Sequence, residues 1–222
     1  MRLALALTAA LIGAVPAGAE DRAVVIGNSD YRHAPDLAGA DMRPVVEGLR
    51  EAGFRIGDGT DLGSAESRAF LGRLAADDPQ PGARIVVLNG RFLHDSDETW
   101  FLGREAQEPG LLNVGLQGVP LSLVMRQIAE GRPGAVLLLG TDSQDMPHQP
   151  GVDSGIGRLT PPQGVAVITG TPARCPQTCN CSTAAARNVS PAAITTFLPA
   201  ALNWLASLPM VVVLPEPFTP TT

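Results

Sequence analysis

The sequence contains no lysine; all 16 of its basic residues are arginine. That absence excludes two large classes of chemistry. A P-loop needs a lysine on the phosphates, and Schiff-base catalysis needs a lysine amine. No Gly-x-Gly-x-x-Gly follows the first apolar run, "AVVIG", which argues against dinucleotide binding. Positive charge is also short, since the formal net charge is −6 at pH 7. An acidic chain with scattered arginines argues against a nucleic-acid partner. Cysteine is scarce and clustered: Cys175, Cys179 and Cys181 all fall in "CPQTCNC". An odd number in an exported chain reads as one disulfide plus a free thiol. Reduced structural thiols are the alternative. A metal site would need a fourth ligand, and no histidine lies nearby.

Export itself is an expectation from the first 19 residues. Arg2 supplies the positive start, Leu3 to Val15 is an uncharged apolar run, and Ala17-Gly18-Ala19 is a small-residue cleavage site. Cleavage there removes Arg2 and makes the chain about one charge unit more acidic. The product, residues 20–222, is expected as a single domain, periplasmic or secreted from a bacterium. A hydrophobic share of 45% is enough for one substantial core. The apolar stretch near the C-terminus is interrupted by Pro199, Pro209, Pro215 and Pro217, so it reads as a buried helix and strand. No membrane contact is expected after cleavage.

Strand and helix patterns alternate along the chain. Strands are expected at Ala23–Gly27, Phe54–Ile56, Ala83–Gly90, Ala135–Gly140, Gly164–Gly170 and Met210–Pro215. Between them, Val45, Val46, Leu49 and Ala52 recur at helical spacing and end at Gly53. Helices are also expected at Ser64–Asp78 with Ser64 as cap, at Pro120–Gly131, and at Ser190–Leu208 with Pro199 as a kink or break. Residues 91–118 read as irregular, with Thr99–Gly103 as a hairpin arm. Such alternation predicts an α/β three-layer sandwich around a mainly parallel sheet of about six strands.

Ligands and chemistry in such sheets gather beyond the carboxyl ends of the strands. Three ends are informative: "GNSDYRHAPDLAGAD", "NGRFLHDSDE" and "GTDSQD". The opening, with Gly27, Asn28, Tyr31, Leu49 and Gly53-Phe54, resembles that of the caspase/metacaspase-like cysteine peptidases. The resemblance covers roughly residues 22–170 and follows the order of the elements. It implies a catalytic His after the third strand, in a G-H-G turn, and a nucleophilic Cys after the fourth, in a D-A-C turn, about 50 residues later. The spacing from position 91 to position 142 is 51 residues. The chemistry departs from the family pattern. Arg91 stands where the His belongs and Asp142 where the Cys belongs. "MRP" (Met42, Arg43, Pro44) replaces an acidic pocket residue.

Arginine stays protonated and cannot act as a base, and a carboxylate is a poor attacker of amides. The expectation is therefore a caspase-like domain without the dyad, a pseudo-peptidase that binds a peptide or protein partner. Arg91 and Asp142, being complementary, are expected to pair across the vestigial site. Two alternatives stay open. One is a working hydrolase with a relocated set, His94 with Ser143; a shifted alignment would also make His94 the family histidine, still without a Cys. The other is a generic secreted α/β domain. His33 and His148 read as ordinary loop residues. Asp95, Asp97, Glu98, Asp142, Asp145 and Asp153 read as solvated loop charge, although the resemblance to metacaspases admits calcium. No other cofactor is expected, and nothing in the sequence sets an oligomeric state.

Overall fold

The computed structural model describes residues 20–37, 41–74, 81–130, 135–141, 146–170 and 210–213. The main sheet has six strands: β1 (Glu20–Gly27), β2 (Arg55–Thr60), β3 (Pro81–Asn89), β7 (Ala135–Gly140), β9 (Val165–Gly170) and β10 (Met210–Val213). Their spatial order is β10-β9-β7-β3-β1-β2. The pairs β1–β2, β1–β3, β3–β7 and β7–β9 are parallel, and only β9–β10 is antiparallel.

The parallel strands read as unbroken apolar runs because both faces of the sheet are covered. Strand alternation sends Ala23, Val25, Ile85, Val87, Val136 and Leu138 to one face, against Val45 and Leu49 of α1 (Arg43–Glu51). It sends Val24, Ile26, Val86, Leu88, Leu137 and Leu139 to the other. There they meet Leu71 of α2 (Ser64–Gly72) and Val124, Met125 and Ile128 of α4 (Leu121–Ala129). The result is the expected three-layer α/β sandwich with a mainly parallel sheet. Among the described residues, no helix is long and apolar enough to cross a membrane.

The structure departs from the sequence reading in three places. Residues 91–118 are not irregular. They supply β4 (Phe92–His94), β5 (Thr99–Leu102), the short α3 (Val114–Gln117) and β6 (Gly118–Pro120). With β8 (Asp153–Ser154) these strands form a second, antiparallel sheet in the order β6-β5-β4-β8. The expected hairpin arm at Thr99–Gly103 is β5; the other strands, of two or three residues, carry too little periodicity to read. Phe92 and Phe101 weld this sheet to the main core, with ring centroids 5.4 Å apart. The second strand runs Arg55–Thr60 rather than ending at Ile56. One of its glycines is close to a neighbour: a Cβ on Gly59 would lie 2.7 Å from Leu62 Cδ1.

Ser64, in third place, is the first residue of α2 and not its cap. Its hydroxyl donates to the Leu116 carbonyl (2.8 Å), while Glu105 accepts its backbone N–H (2.8 Å). Gly63 is the N-cap, and the Glu66 carboxylate accepts its N–H at 2.9 Å. A carboxylate from the β4–β5 turn serves the start of α4. Glu98 accepts the N–H of Ser122 at 3.2 Å and its hydroxyl as well. The expected leader (1–19), the helix at 190–208 and the three cysteines lie outside the described residues.

Leu137 is fully buried (0% exposed) at the centre of β7. Leu137→Ala is expected to cost about 2–5 kcal/mol in urea unfolding, with native circular dichroism retained without denaturant.

Candidate functional site

The chain direction of the crossovers reverses between β1 and β3, since β1 leads outward to β2 and β3 leads the other way to β7. That is the switch point where an open α/β sheet has its crevice. The ladder continues one residue past each strand. Asn28 N–H donates to Asn89 O (2.8 Å), Gly90 N–H to Gly140 O (2.9 Å) and Thr141 N–H to Gly170 O (3.2 Å). The strand ends are therefore held at fixed spacing.

Asn28 is completely buried. Its Oδ1 accepts the Leu62 N–H (2.8 Å), and its Nδ2 donates to the carbonyls of Leu62 (3.0 Å) and Leu102 (3.2 Å). Asp61, at a positive φ of 51°, accepts the N–H groups of Ser29 (2.7 Å) and Asp30 (2.9 Å) through one oxygen. These contacts fix the chain as it leaves β1 and deliver Tyr31 to the end of β3.

Tyr31 accepts the backbone N–H of Arg91 at 2.8 Å and donates to Leu102 O at 3.4 Å. Gly90 must be glycine for this approach, because a Cβ there would lie 2.7 Å from the Tyr31 hydroxyl and 2.6 Å from Phe101. The Arg91 side chain is 1% exposed. Its Nη2 donates to Pro35 O at 2.6 Å, and its guanidinium lies over the Tyr31 ring, 5.6 Å from the centroid. These are not all of its interactions. Burial pushes the Tyr31 phenol well above its ordinary value, although the N–H and the positive charge of Arg91 pull the other way.

His94 lies elsewhere. It sits in β4 opposite Thr99 and Asp153. Its Nδ1 is 3.2 Å from the Asp95 carbonyl, and its ring fills the space beside Gly157. By strand alternation it shares a face with Phe92, while Leu93, on the opposite face, packs with Tyr31. Asp142, Ser143 and Asp145 lie outside the described residues. The Asn89–Gly140 pairing means that positions 91 and 142 each follow the end of one of two adjacent strands by two residues.

A second histidine–serine contact was not foreseen. His148 Nδ1 is 3.5 Å from Ser154 Oγ, but it is 2.7 Å from the Met146 carbonyl. A nitrogen that close to a carbonyl carries the proton, so it has no lone pair with which to take one from Ser154. His33 is exposed in the loop after β1. Of the acidic residues, Asp95 and Glu98 are occupied by local structure. Asp95 accepts the N–H groups of Asp97 (2.8 Å) and Glu98 (2.7 Å) in the β4–β5 turn. Among the described residues, no three His, Cys, Asp or Glu side chains converge as a metal site. Sequence reasoning gave no role to Asn28, Asp61 or Pro35; the one signal was polar residues placed directly after an apolar strand.

No protein-family model matches the chain, and no curated protein matches it by sequence. Among solved structures, the chain is similar to the Drosophila initiator caspase Dronc. The two are 11% identical with a TM-score of 0.45, over 68% of this chain and 54% of that one. The likeness thus spans about half the length of the caspase.

The chain has one tyrosine, so phenolate absorbance reports Tyr31 alone. In the folded protein it is expected not to titrate at the ordinary value of 10.0, and to do so once unfolded. The sign follows: only the unfolded form ionises just above that pH, so stability holds below it and falls as pH rises. Alkaline titration of native and urea-unfolded protein checks both statements.

Proposed function

We propose that this chain is an exported, non-catalytic relative of the caspase-like peptidases, which acts as a peptide- or protein-binding or regulatory module. The observation that carries the reading is the burial of Arg91. A permanently charged guanidinium, held by the Pro35 carbonyl and the Tyr31 ring, occupies the place after the third parallel strand where the resemblance calls for a base. The placement of β7 beside β3 supports the caspase-like reading over a chance likeness, because it brings together the two strand ends that the dyad would use. Export rests on the sequence of residues 1–19. Cleavage after Ala19 would keep all of Glu20–Gly27, the described extent of β1.

A partner-binding role draws support from the surface. Leu111 and Leu112, in the turn that enters α3, and Leu116, within it, are exposed, Leu112 at 99%. Exposed large apolar side chains close together in the chain are a feature of interaction surfaces.

The test is a peptidase assay on the purified chain with a mixed peptide library, with and without calcium, alongside His94→Ala. The expected result is no cleavage by either protein. Cleavage by the natural chain that is lost in His94→Ala would replace this reading with a relocated catalytic set.

A further inference from the structure

The loop that joins β1 to α1 is fastened at its base and along its start. Leu37 N–H donates to Ser29 O (2.9 Å), which closes the loop on itself. Arg32 N–H donates to Arg104 O (3.0 Å), and Asp30 pairs with the Arg104 guanidinium (2.9 Å). Tyr31 and Leu37 are buried, while Arg32, His33, Pro35 and Asp36 between them are exposed. The loop therefore has two buried feet and a crest that faces water. Ala34 packs down against the cluster of Leu93 and Leu102, and the Arg91 Nη2 meets the Pro35 carbonyl of the crest from below.

We infer that Arg91 is an internal strut that holds the crest of the 29–37 loop in place across the carboxyl end of β3. The residue type suits the task. A guanidinium is flat, lies over an aromatic ring and still presents in-plane donors to a carbonyl beyond it. A lysine ammonium ends one bond sooner and cannot lie flat on Tyr31 with its donors in a fixed fork. The backbone of Arg91 is tied to the same loop, through its N–H on the Tyr31 hydroxyl, so main chain and side chain grip the loop at two points. The crest is then preorganised, and any partner that meets it loses less ordering entropy on binding. The strut rests on this geometry and not on the family reading, so peptidase activity neither supports nor removes it.

The test is native-state hydrogen exchange on the full chain, comparing the natural protein with Arg91→Lys, Arg91→Met and Tyr31→Phe. The reporting amides are those of Arg32 and Leu37, with the amides of α4 and β9 as internal controls. In Arg91→Lys and Arg91→Met, the two loop amides are expected to exchange at least about tenfold faster, with the controls unchanged. Tyr31→Phe keeps the ring under the guanidinium and is expected to produce a smaller local increase. If Arg91→Met does not fold, Arg91→Lys decides by the same comparison, because it keeps the charge and removes the fork and its reach to the Pro35 carbonyl. Unchanged loop amides in the Arg91 variants would overturn the strut. So would an increase shared equally by α4 and β9, which would make Arg91 a general contributor to stability.

Discussion

The carboxamide of Asn28 fastens three chain segments at one buried point, and the layout beyond the strand ends depends on it. Its backbone N–H extends the β1–β3 ladder to Asn89 O, and its side chain binds both polar groups of Leu62 and the carbonyl of Leu102. Leu62 carries the exit from β2, and Leu102 ends β5 in the second sheet. The Leu102 carbonyl also receives the Tyr31 hydroxyl, and Tyr31 in turn receives the Arg91 N–H. Removing the carboxamide would leave buried donors and acceptors without partners, each at about 1–3 kcal/mol. The small sheet would then be held to the large one mainly by packing around Phe92 and Phe101.

Arg91 shows how such a frame accommodates a charge. An isolated buried ion costs several kcal/mol, and most groups escape by losing the charge. Arginine has no such escape at any pH a protein survives. The carbonyl of Pro35 and the face of Tyr31 are part of what offsets the cost here. A cation placed this way also restricts chemistry nearby. It stabilises anions and cannot itself accept a proton, so Arg91 gives the end of β3 an electrostatic support.

The main sheet was legible in the sequence because its strands are buried on both faces, which writes them as short apolar runs such as Ala135–Gly140. Alternation of those runs with helical spacing gave the layer order as well. Of the second sheet only the hairpin arm at Thr99–Gly103 was legible. Phe92–His94 and Thr99–Leu102 are held by cross-chain pairing to segments as distant as Asp153–Ser154, and no local pattern announces that. The Ser64 cap failed for a related reason. Ser64 has the right chemistry to cap a helix, but Glu105, 41 residues away, accepts the backbone N–H at that end and Ser64 turns to Leu116. At the candidate site, the "NG" after β3 read correctly as a strand end. Its cause, the close approach of Tyr31 and Phe101 to Gly90, is a tertiary fact.

His94 and Arg91 lie three residues apart, and sequence alone made either a natural occupant of the site. The pleat of β4 separates them. A strand alternates its side chains, so His94 must follow Phe92 to the face that meets the main core. Leu93 alone of that strand turns toward Tyr31. To bring His94 to the Tyr31 side would take a one-residue slip of β4 against both β5 and β8. That slip would also move Phe92 off Phe101 and Leu93 out of its cluster, exchanging buried apolar groups for a polar one. The site at the end of β3 is therefore defined by strand geometry before side-chain chemistry. What reaches it is the residue that precedes the pleat, and in this chain that residue is Arg91.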